Sequence, residues 1–511
     1  MITPQAMVTS GTEPTSTTYD VAVIGAGPTG LTLSYLLAAK HVRVALVDPS
    51  RIVCQHPRAT HIDDETMRML QTLGQADCEP EFLRWSGMVI MGADGEPFVR
   101  HQPPESLSDQ GWRTDYMFHQ PDFESRLRGK LVTNPYVDEW LGWRSVSVEQ
   151  DETQARVELY DRATESTQTI SASFVVGCDG ANSFVRGIID PEIEDLDGTQ
   201  RSLIVDVFAF ERPSSLPPDS GFMMCRDDNP AIYVPIFPPM LRFEFMLRPG
   251  QPTEEWERPA KVYQLMSEWM EPDTYRIMRA DAYEWHAYLP KGWRSGRLFV
   301  AGDAAHEMPP MVGQGMCSGL RDAANLAWKL GAVVAGGNDG LLDTYESERS
   351  PHVRPFIVES ARQANIVESF NDPANRPPGF QTHTAERLRP PLGSGVADAS
   401  SSLVGQLAPQ PRTASGALLD DLVGYNFAVV GSADVIAAVP EVTRDIWHRL
   451  AATIVSEPDI LAGTWLDRPD VDVAIIRPDR YVYAGTAGAD ALSTATAELG
   501  AWLSTAAQVG S

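Results

Sequence analysis

Residues 19 to 48 read Y-D-V-A-V-I-G-A-G-P-T-G-L-T-L-S-Y-L-L-A-A-K-H-V-R-V-A-L-V-D, and this stretch decides the fold that we predict for the N-terminal part of the chain. An apolar, β-rich run enters a glycine turn, a run rich in alanine and leucine follows, and a second apolar run ends at Asp48. This order predicts a strand, a tight turn, a helix and a second strand that ends in an acidic residue.

The glycine turn has the residue types that binding of a dinucleotide pyrophosphate requires. Gly25 permits the tight turn, Gly27 lets the backbone approach the phosphates, and Gly30 lets the helix pack close to the strand. Asp48 is placed to accept hydrogen bonds from the adenosine ribose. A glycine turn in an ordinary α/β protein is the alternative, but the flanking strands, helix and acid favour a dinucleotide. The predicted cofactor-binding residues of this turn are Gly25, Ala26, Gly27, Pro28, Thr29 and Gly30.

Length and composition limit the class of protein. The chain has 511 residues, so two or three domains are expected. Its formal net charge of −28 argues against binding to nucleic acid or to an anionic membrane. Residues 1–18 lack the basic start and apolar core of a signal peptide, so we expect a flexible tail and a cytoplasmic location. The five cysteines include no C-x-x-C pair, which favours reduced thiols, and no metal site is expected.

Changes in pattern along the chain predict its domains. Residues 200–290 contain strand-like, aromatic runs broken by prolines, which favour an antiparallel sheet. The aromatic and methionine side chains of this sheet either line an apolar pocket or form ordinary core. The predicted segments are a flexible tail at 1–18, a Rossmann-like domain at 19–199 and 291–370, the sheet domain at 200–290, a linker rich in proline, glycine and serine at 371–402, and a small α/β domain at 403–511.

Three separated motifs together resemble one known family. They are G-A-G-P-T-G at 25–30, C-D-G-A-N-S-F-V-R at 178–186 and A-G-D-A-A-H-E-M-P-P-M-V-G-Q-G at 301–315. This combination resembles the FAD-dependent class A aromatic hydroxylases, and R-F-E-F-M at 242–246 is most similar to the 3-(3-hydroxyphenyl)propionate hydroxylases among them. The resemblance implies an α/β and α+β fold, with a Rossmann-like FAD-binding domain, an antiparallel-sheet substrate domain and a thioredoxin-like C-terminal domain.

The same resemblance assigns roles to residues outside the glycine turn. Asp303 matches the acid that hydrogen-bonds the ribityl chain of FAD, Gln120 a glutamine that contacts this chain, and Arg58 an arginine near the ribose. Asp179 and Gly180 belong to a motif implicated in binding both FAD and NAD(P)H. The loop packed against the isoalloxazine ring comprises Pro310, Gly313, Gln314, Gly315 and Met316. Cys317 stands where many members have asparagine, which puts a side-chain contact at that position in doubt, and His306 is expected to be structural.

The implied activity is oxygenation of an aromatic ring. NADPH or NADH reduces FAD, the reduced flavin captures molecular oxygen as a C4a-hydroperoxide, and hydroxyl is delivered to a small phenolic substrate. Arg242 is a candidate anchor for a substrate carboxylate, with a flavin contact as the alternative, and weaker pocket candidates are Tyr116, Tyr233 and His286. The sequence does not identify the group that deprotonates the phenol. A homodimer is a further expectation.

Other functions fit the same motifs. The main alternative within enzymes is a tailoring hydroxylase for a larger aromatic natural product, such as a polyketide or a pyridone. A flavin-containing sensor without turnover and a non-oxygenating reductase or dehydrogenase are the others. Stimulation of NAD(P)H oxidation by small phenolic acids, and its dependence on oxygen, separates these functions.

Overall fold

A computed structural model describes residues 16–370, 372–384, 387–398, 400–457 and 459–504. Most of the predicted tail, residues 1–15, lies outside the described residues. In chain order, the strands are Thr18–Ile24 (β1), Val44–Asp48 (β2), His61–Asp63 (β3), Leu83–Arg84 (β4), Met88–Gly92 (β5), Pro97–Gln102 (β6), Asp115–Met117 (β7), Val137–Leu141 (β8), Trp143–Gln150 (β9), Ala155–Asp161 (β10), Ser166–Gly177 (β11), Glu192–Ala209 (β12), Gly221–Cys225 (β13), Ala231–Phe237 (β14), Met240–Leu247 (β15), Tyr275–Lys291 (β16), Arg294–Ser295 (β17), Leu298–Val300 (β18), Gln381–Thr384 (β19), Ala428–Gly431 (β20), Thr453–Val455 (β21), Val473–Ile476 (β22) and Val482–Thr486 (β23).

The α-helices connect and cover these strands. In chain order they are Pro28–Ala38 (α1), Asp64–Thr72 (α2), Gln120–Leu131 (α3), Phe184–Ile189 (α4), Thr253–Trp256 (α5), Pro259–Met266 (α6), Gly315–Val334 (α7), Gly340–Ser369 (α8), Leu419–Val423 (α9), Ala433–Ala438 (α10), Glu441–Arg449 (α11) and Gly488–Leu503 (α12). Short 3-10 helices include Gly302–Ala304 and Pro310–Val312. Among the helices of the described ranges, none is long and apolar enough to span a membrane.

The N-terminal sheet confirms the predicted Rossmann-like arrangement. Its strands lie in the order β17-β18-β11-β1-β2-β8, and β1 pairs in parallel with both β2 and β11. The buried strand β18 also runs parallel to β11 and places Asp303 just beyond its carboxyl end. Parallel strands end at one edge of the sheet, so this arrangement brings the first and third motifs to the same edge.

The termini and lengths of three further helices follow from the structure. Asp63 caps α2 by accepting a hydrogen bond from the amide of Thr66 at 2.8 Å, as the acidic start of this helix suggests. Helix α3 begins at Gln120, with His119 as its N-cap residue and Asp122 in its first turn. Helix α8 continues through Pro351 and Pro355 to Ser369.

The second large sheet separates two apolar layers. Its order is β16-β12-β15-β14-β13-β5-β6-β19, and most neighbouring strands are antiparallel. One face packs on α6 through a cluster that includes Phe243, Phe245 and Met266. The opposite face, here called the inner face, is turned toward the Rossmann-like domain, because Arg242 on that face contacts Pro57 and Arg58.

This sheet is larger than the predicted domain at 200–290. Strands β5 and β6 come from residues 88–102, and β19 comes from the segment at 371–402 that was predicted to be a linker. The same segment supplies Arg387 and Arg389, which form ion pairs with Asp115 and Asp64. These pairings join residues far apart in sequence, and a local pattern does not reveal them.

The C-terminal part forms a small α/β unit, as predicted. Its four strands lie in the order β21-β20-β22-β23, with β20 parallel to β21 and antiparallel to β22. Helices α10 and α11 connect β20 to β21, and α12 follows β23. The sequence has no cysteine after Cys317, so this unit cannot carry out thiol–disulfide exchange. Its description as thioredoxin-like stays a prediction.

Candidate cofactor and substrate cleft

The glycine turn between β1 and α1 is shaped as the sequence predicts. Gly25 has a φ of +106°, and a Cβ atom there would lie 2.3 Å from the carbonyl oxygen of Cys178. A Cβ atom on Gly30 would lie 1.9 Å from the carbonyl oxygen of Gly25, whereas one on Gly27 would meet no atom within 4 Å. The space above Gly27 is therefore open to a phosphate, and the other two positions are closely packed.

Asp48 stabilises this turn directly. Its Oδ2 atom accepts a hydrogen bond from the amide of Ala26 at 2.7 Å, and its Oδ1 atom accepts one from the amide of Ser50 at 2.7 Å. Each carboxylate oxygen has a second lone pair, so these contacts leave acceptor capacity for a ribose hydroxyl. The N-terminus of α1 has Pro28 in its first turn and no acidic residue there, which leaves the positive end of the helix dipole free for an anion.

Asp179 organises the second motif. Its carboxylate accepts hydrogen bonds from the Ser183 hydroxyl and from the amides of Phe184 and Val185, so it fixes the start of α4. Arg186 on this helix donates to the carbonyl oxygens of Asp303 and Ala304 at 3.3 and 3.1 Å. Gly180 has a φ of +81° and open space at its Cβ position. The second motif therefore supports the backbone of the third.

Asp303 lies at the wall of the cleft beyond β18. Its side chain reaches the protein surface, although protein groups surround much of the carboxyl. This partial loss of solvation raises the pKa of the carboxyl, and the charges of His306 and Arg58 oppose the shift. Among the described residues, none donates a hydrogen bond to this carboxyl, so it is available to a ligand hydroxyl.

Gln120 forms hydrogen bonds with the backbone of the loop that contains Arg58. The buried Oε1 atom of Gln120 accepts hydrogen bonds from the amides of Arg58 and Ala59 at 2.9 and 2.7 Å, and its Nε2 atom donates to Glu124 at 2.6 Å. Gln120 thus positions the loop, and its polar atoms already have protein partners. The Arg58 side chain is exposed and has no ion pair with any described residue, so its charge is available to a phosphate or ribose.

The third motif forms a loop at the N-terminus of α7. Gly313 adopts a φ of +64° after the turn at Pro310–Val312, and a Cβ atom there would lie 2.8 Å from Nδ1 of His61. The Gln314 side chain accepts a hydrogen bond from Arg321 at 2.9 Å, so it is turned toward the protein. Helix α7 begins at Gly315 without a side-chain cap or an acid in its first turn. Its amides, including that of the half-buried Met316, are suited to negative charge.

Two further residues of this region, His306 and Cys317, make structural contacts, which was the expectation for His306. His306 is fully buried, and its Nε2 atom lies 2.7 Å from the Oδ2 atom of Asp322. The Cys317 thiol makes only long contacts, at 3.9 and 3.7 Å, with the carbonyl oxygens of His61 and Gly313. Cys317 is buried below the loop, so its side chain is not directed at the cleft.

Arg242 is completely engaged by protein groups. Its Nε atom donates to Asp206 at 2.7 Å, and its two terminal nitrogens donate to Asp206 and to the carbonyl oxygens of Arg58 and Pro57. Arg279 shares Asp206 at 2.8 Å and also donates to the carbonyl oxygen of Pro57. This placement does not favour Arg242 as a carboxylate anchor. It makes Arg242 a support for the loop that contains Arg58.

The three weaker pocket candidates do not meet at the cleft. Tyr233 is fully buried in the layer against α6, on the opposite face of the sheet from Arg242, and its hydroxyl donates to the carbonyl oxygen of Pro217. The hydroxyl of the buried Tyr116 contacts Glu79 and the amide of Arg113. His286 is half-exposed on β16, where it lies 3.6 Å from Glu284.

The inner face of the sheet carries a second apolar cluster, and its use as the lining of a pocket stays a prediction. Met311 of the third motif packs against a cluster, here called the inner-face cluster, of Ile90, Phe98, Val99, Met223, Cys225, Ile232, Met246 and Val367, with Met88 and Phe370 at its edge. Glu244 lies on the same face, between Arg242 and Met246. Sequence reasoning missed Glu244, although the alternation of side chains along the R-F-E-F-M strand places it beside Arg242.

These residues fit FAD. The open space above Gly27, the unpaired Arg58, the accessible Asp303 and the uncapped N-terminus of α7 lie along one edge of the sheet and offer partners for pyrophosphate, ribityl chain and ring. Within the described ranges, no group of three or more His, Cys, Asp or Glu residues is arranged to hold a metal ion.

Comparison with known proteins establishes the family. The chain belongs to the family described as "FAD binding domain", whose model matches residues 18–360. A second model, described as "HcaD C-terminal domain", matches residues 405–501. Together with the cleft, this membership identifies the chain as an FAD-dependent aromatic-ring monooxygenase that uses NADH or NADPH as reductant and molecular oxygen as co-substrate.

Relatives with assigned names align with nearly the whole chain. A probable NADH-specific resorcinol 4-hydroxylase from Rhodococcus jostii (strain RHA1) is 32% identical over 494 residues, with 91% of each chain covered. A 3-(3-hydroxy-phenyl)propionate/3-hydroxycinnamic acid hydroxylase from Mycolicibacterium gilvum (strain PYR-GCK) is also 32% identical, over 90% of this chain and 84% of that one.

Solved structures show the same fold. The complex of aklavinone-11 hydroxylase with FAD and aklavinone superposes with a TM-score of 0.77 at 22% identity, covering 94% of this chain and 98% of that chain. The flavin-dependent monooxygenase PieE, in complex with FAD and substrate, gives a TM-score of 0.78 at 20% identity, covering 96% and 100%.

Proposed function

We propose that this monooxygenase hydroxylates a small phenol with a second substituent in the meta position. Resorcinol and 3-(3-hydroxyphenyl)propionate, after which the two relatives are named, are both phenols of this type. The observation that carries the proposal is the contact between Met311 of the third motif and the inner-face cluster. This contact brings an apolar surface suited to an aromatic ring next to the loop assigned to the flavin.

The chain's own residues provide specific functions in this proposal. The glycine turn at 25–30 and Arg58 hold the pyrophosphate and ribose, Asp303 accepts a ribityl hydroxyl, and the amides at the start of α7 stabilise negative charge at the ring. Bound FAD supplies hydride acceptance from the nicotinamide and activation of oxygen. The inner-face cluster holds the substrate ring and excludes water from it. Asp179 and Gly180 support the loop of Asp303, while Gln120 and Arg242 support that of Arg58.

The contacts of Arg242 bear on the choice between the two phenols. A carboxylated substrate needs a cationic partner, and Arg242 already donates to Asp206 and to two backbone carbonyls. We therefore place resorcinol-like phenols first and phenylpropionates second. Arg376, which lies over the Phe98 ring at 5.2 Å at the edge of the inner-face cluster, is the candidate partner for a carboxylate.

The test is consumption of NADH and NADPH by the FAD-loaded protein, with resorcinol, with 3-(3-hydroxyphenyl)propionate and without either, while hydroxylated product and hydrogen peroxide are quantified. We expect oxidation to be stimulated and to match product formation for at least one of the two phenols. Stimulation that yields only peroxide with both, or no stimulation by either, would contradict the proposed substrate class.

Four further properties complete the proposal. The unit at 403–511 is taken as thioredoxin-like with a packing role, since it lacks cysteine. The protein is taken as cytoplasmic and as a homodimer, and its net charge of −28 argues against binding to nucleic acid. Size-exclusion chromatography with light scattering tests the oligomeric state.

A further inference from the structure

Glu244 is a buried carboxyl next to Arg242 that has no protein partner among the described residues. It lies on β15 between Arg242 and Met246, with its side chain on the inner face, and only 7% of its surface is exposed. Its carboxylate has no hydrogen bond and no ion pair with any residue in the described ranges. A buried carboxyl without such partners costs stability, and a ligand that supplies a hydrogen-bond donor would offset this cost.

The neighbouring charges do not use Glu244 as a counter-ion. Asp206 on β12 lies 2.7 Å from Arg242 and 2.8 Å from Arg279 of β16, so one carboxylate serves both guanidinium groups. Arg242, Asp206 and Arg279 are the charged groups that face Glu244 from the strands around it. Burial raises the pKa of Glu244 above its ordinary value, Asp206 adds to this shift, and the two arginines oppose it.

Glu244 lies between the part of the cleft assigned to the cofactor and the apolar cluster proposed to hold the substrate ring. Along the strand, its neighbour Arg242 contacts the Pro57–Arg58 backbone on the cofactor side. On the other side, Met246 and Ile232, the latter paired with Glu244 across the strands, belong to the inner-face cluster that reaches Met311. Glu244 therefore lies where the polar edge of the cleft meets its apolar surface.

We propose that Glu244 is the catalytic base that accepts the proton of the phenolic substrate; this inference rests on the proposed function. In this step the O–H bond of the phenol breaks, the proton moves to a carboxylate oxygen of Glu244, and the electron pair stays on the phenolate oxygen. No oxidant or reductant is needed, and the proton returns to water after the product leaves. The phenolate ring is more nucleophilic at the carbons ortho and para to its oxygen, as hydroxylation requires.

A first experiment measures binding and does not depend on turnover. The probe is 4-nitrophenol, whose hydroxyl ionises near neutral pH, titrated into the FAD-loaded protein and followed by the flavin spectrum. In the wild-type complex, Glu244 and the bound nitrophenol together hold one proton. Above the pKa of the free nitrophenol, binding must take this proton from solution, so the affinity for the probe should fall about tenfold per pH unit. In Glu244→Gln this fall should disappear, because the amide does not repel the phenolate. The same slope in both proteins would overturn the proposal.

A second experiment measures catalysis with a matched control. Glu244→Gln should lower kcat/KM for the phenol that stimulates the wild-type protein by about 10²-fold or more at neutral pH. The loss should shrink for ring-fluorinated derivatives of the same phenol, whose hydroxyl is more acidic, and Glu244→Asp should restore part of the activity. Glu271→Gln removes an exposed carboxyl from the loop between α6 and β16 and should behave as wild type.

The outcomes separate the two proposals. If the wild-type protein is stimulated by neither phenol, the proposed substrate class fails, and the nitrophenol titration still tests Glu244. If the wild-type protein turns over a phenol and Glu244→Gln matches it at all substrate acidities, the assignment of Glu244 is wrong while the proposed function stands.

Discussion

The C-terminal unit meets the Rossmann-like domain across a surface whose buried charges are paired, whereas the cleft between that domain and the antiparallel sheet contains charges without such partners. In the first region, here called the C-terminal contact, Glu348 accepts hydrogen bonds from Arg477 and Lys329 at 2.7 Å. Asp420 pairs with Arg68 and Arg480 at 2.6 and 2.8 Å. In the cleft, Arg58, Asp303 and Glu244 have no ion pair with a described residue.

The difference indicates which buried charges maintain shape and which serve a ligand. A buried ion pair with full hydrogen bonding holds two surfaces in one geometry, and losing one partner leaves the other uncompensated. An unpaired charge in a cleft costs stability until a ligand supplies a partner. Substitutions in the C-terminal contact should therefore lower the stability of the fold. Substitutions of the unpaired charges in the cleft should weaken ligand binding without lowering stability.

The largest effect on stability is expected in the C-terminal contact. Glu348→Gln leaves Lys329 without its carboxylate partner and should lower the free energy of unfolding by about 3–5 kcal/mol, as measured by urea denaturation. Asp470→Asn, which breaks the exposed pair with Arg468, is the control and should cause no measurable change. An unchanged unfolding midpoint for Glu348→Gln would show that this buried ion pair does not stabilise the fold.

The same pair predicts a dependence on pH. Burial by itself would raise the pKa of Glu348, but Arg477 and Lys329 outweigh burial and lower this pKa to about 2 from its ordinary value of 4.5. The folded state therefore binds fewer protons than the unfolded state between these values, and the stabilisation is present above pH 4.5 and lost as the pH falls toward 2. The difference in stability between wild type and Glu348→Gln should shrink over that range.

Arg242 is expected to behave as part of a paired group although it lies at the cleft. Arg242→Ala should lower stability by about 3 kcal/mol, because Asp206 loses one of its two partners and the Arg58 loop loses its support. Its kcat/KM should fall by the same factor for resorcinol and for 3-(3-hydroxyphenyl)propionate. A loss confined to the carboxylated substrate would restore the anchoring role first predicted for Arg242.

Unlike Arg242, Asp303 should affect FAD binding and not the stability of the fold. Asp303→Ala removes a charged acceptor from the cofactor and should weaken FAD binding by about 10- to 100-fold, since such a hydrogen bond contributes about 1.5–3 kcal/mol. The unfolding midpoint of the protein without FAD should not fall. Fluorescence titration with FAD and thermal unfolding measure the two quantities, and a fall in the midpoint with unchanged FAD affinity would contradict the assignment.

The smallest effect is expected where the two regions are connected. The Tyr481 hydroxyl donates to Glu65 at 2.8 Å, Glu65 accepts from Arg321 at 2.5 Å, and Arg321 donates to Gln314 in the third motif. Tyr481→Phe should cost about 1 kcal/mol and shift the visible spectrum of bound FAD only slightly. A large loss of bound FAD would contradict this expectation and show that the C-terminal contact strongly affects FAD binding in the cleft.

The fold was predictable where the signal is local. The turn at 25–30 with its strands and helix needs only residues 19–48, and β18 followed by Asp303 is similarly short. The strands β5, β6 and β19 were missed as parts of the second sheet, because their pairing joins residues 88–102 to 221–225 and 381–384. Pattern alone does not specify such distant partners.

The site was predictable by residue type but not by partner. Arg242 was singled out as a candidate contact of the substrate carboxylate or of the flavin, yet its pairing with Asp206 depends on the register of β12 against β15. Glu244 carried a signal that was available, since it stands two residues from Arg242 on the same strand. What the sequence could not reveal is that Asp206 already serves both arginines and leaves Glu244 unpaired.

Thermal unfolding and substrate-coupled NADH oxidation of Glu244→Gln, measured on one preparation, test most directly whether the unpaired charges of the cleft serve ligands. Because burial raises the pKa of Glu244, its ionisation costs the folded state stability as the pH rises above 4.5, and glutamine removes this cost. We predict a variant that is more stable at pH 8 than wild type, with turnover lower by about 10²-fold or more. A variant that loses stability and turnover together would show that Glu244 is structural and would contradict this account.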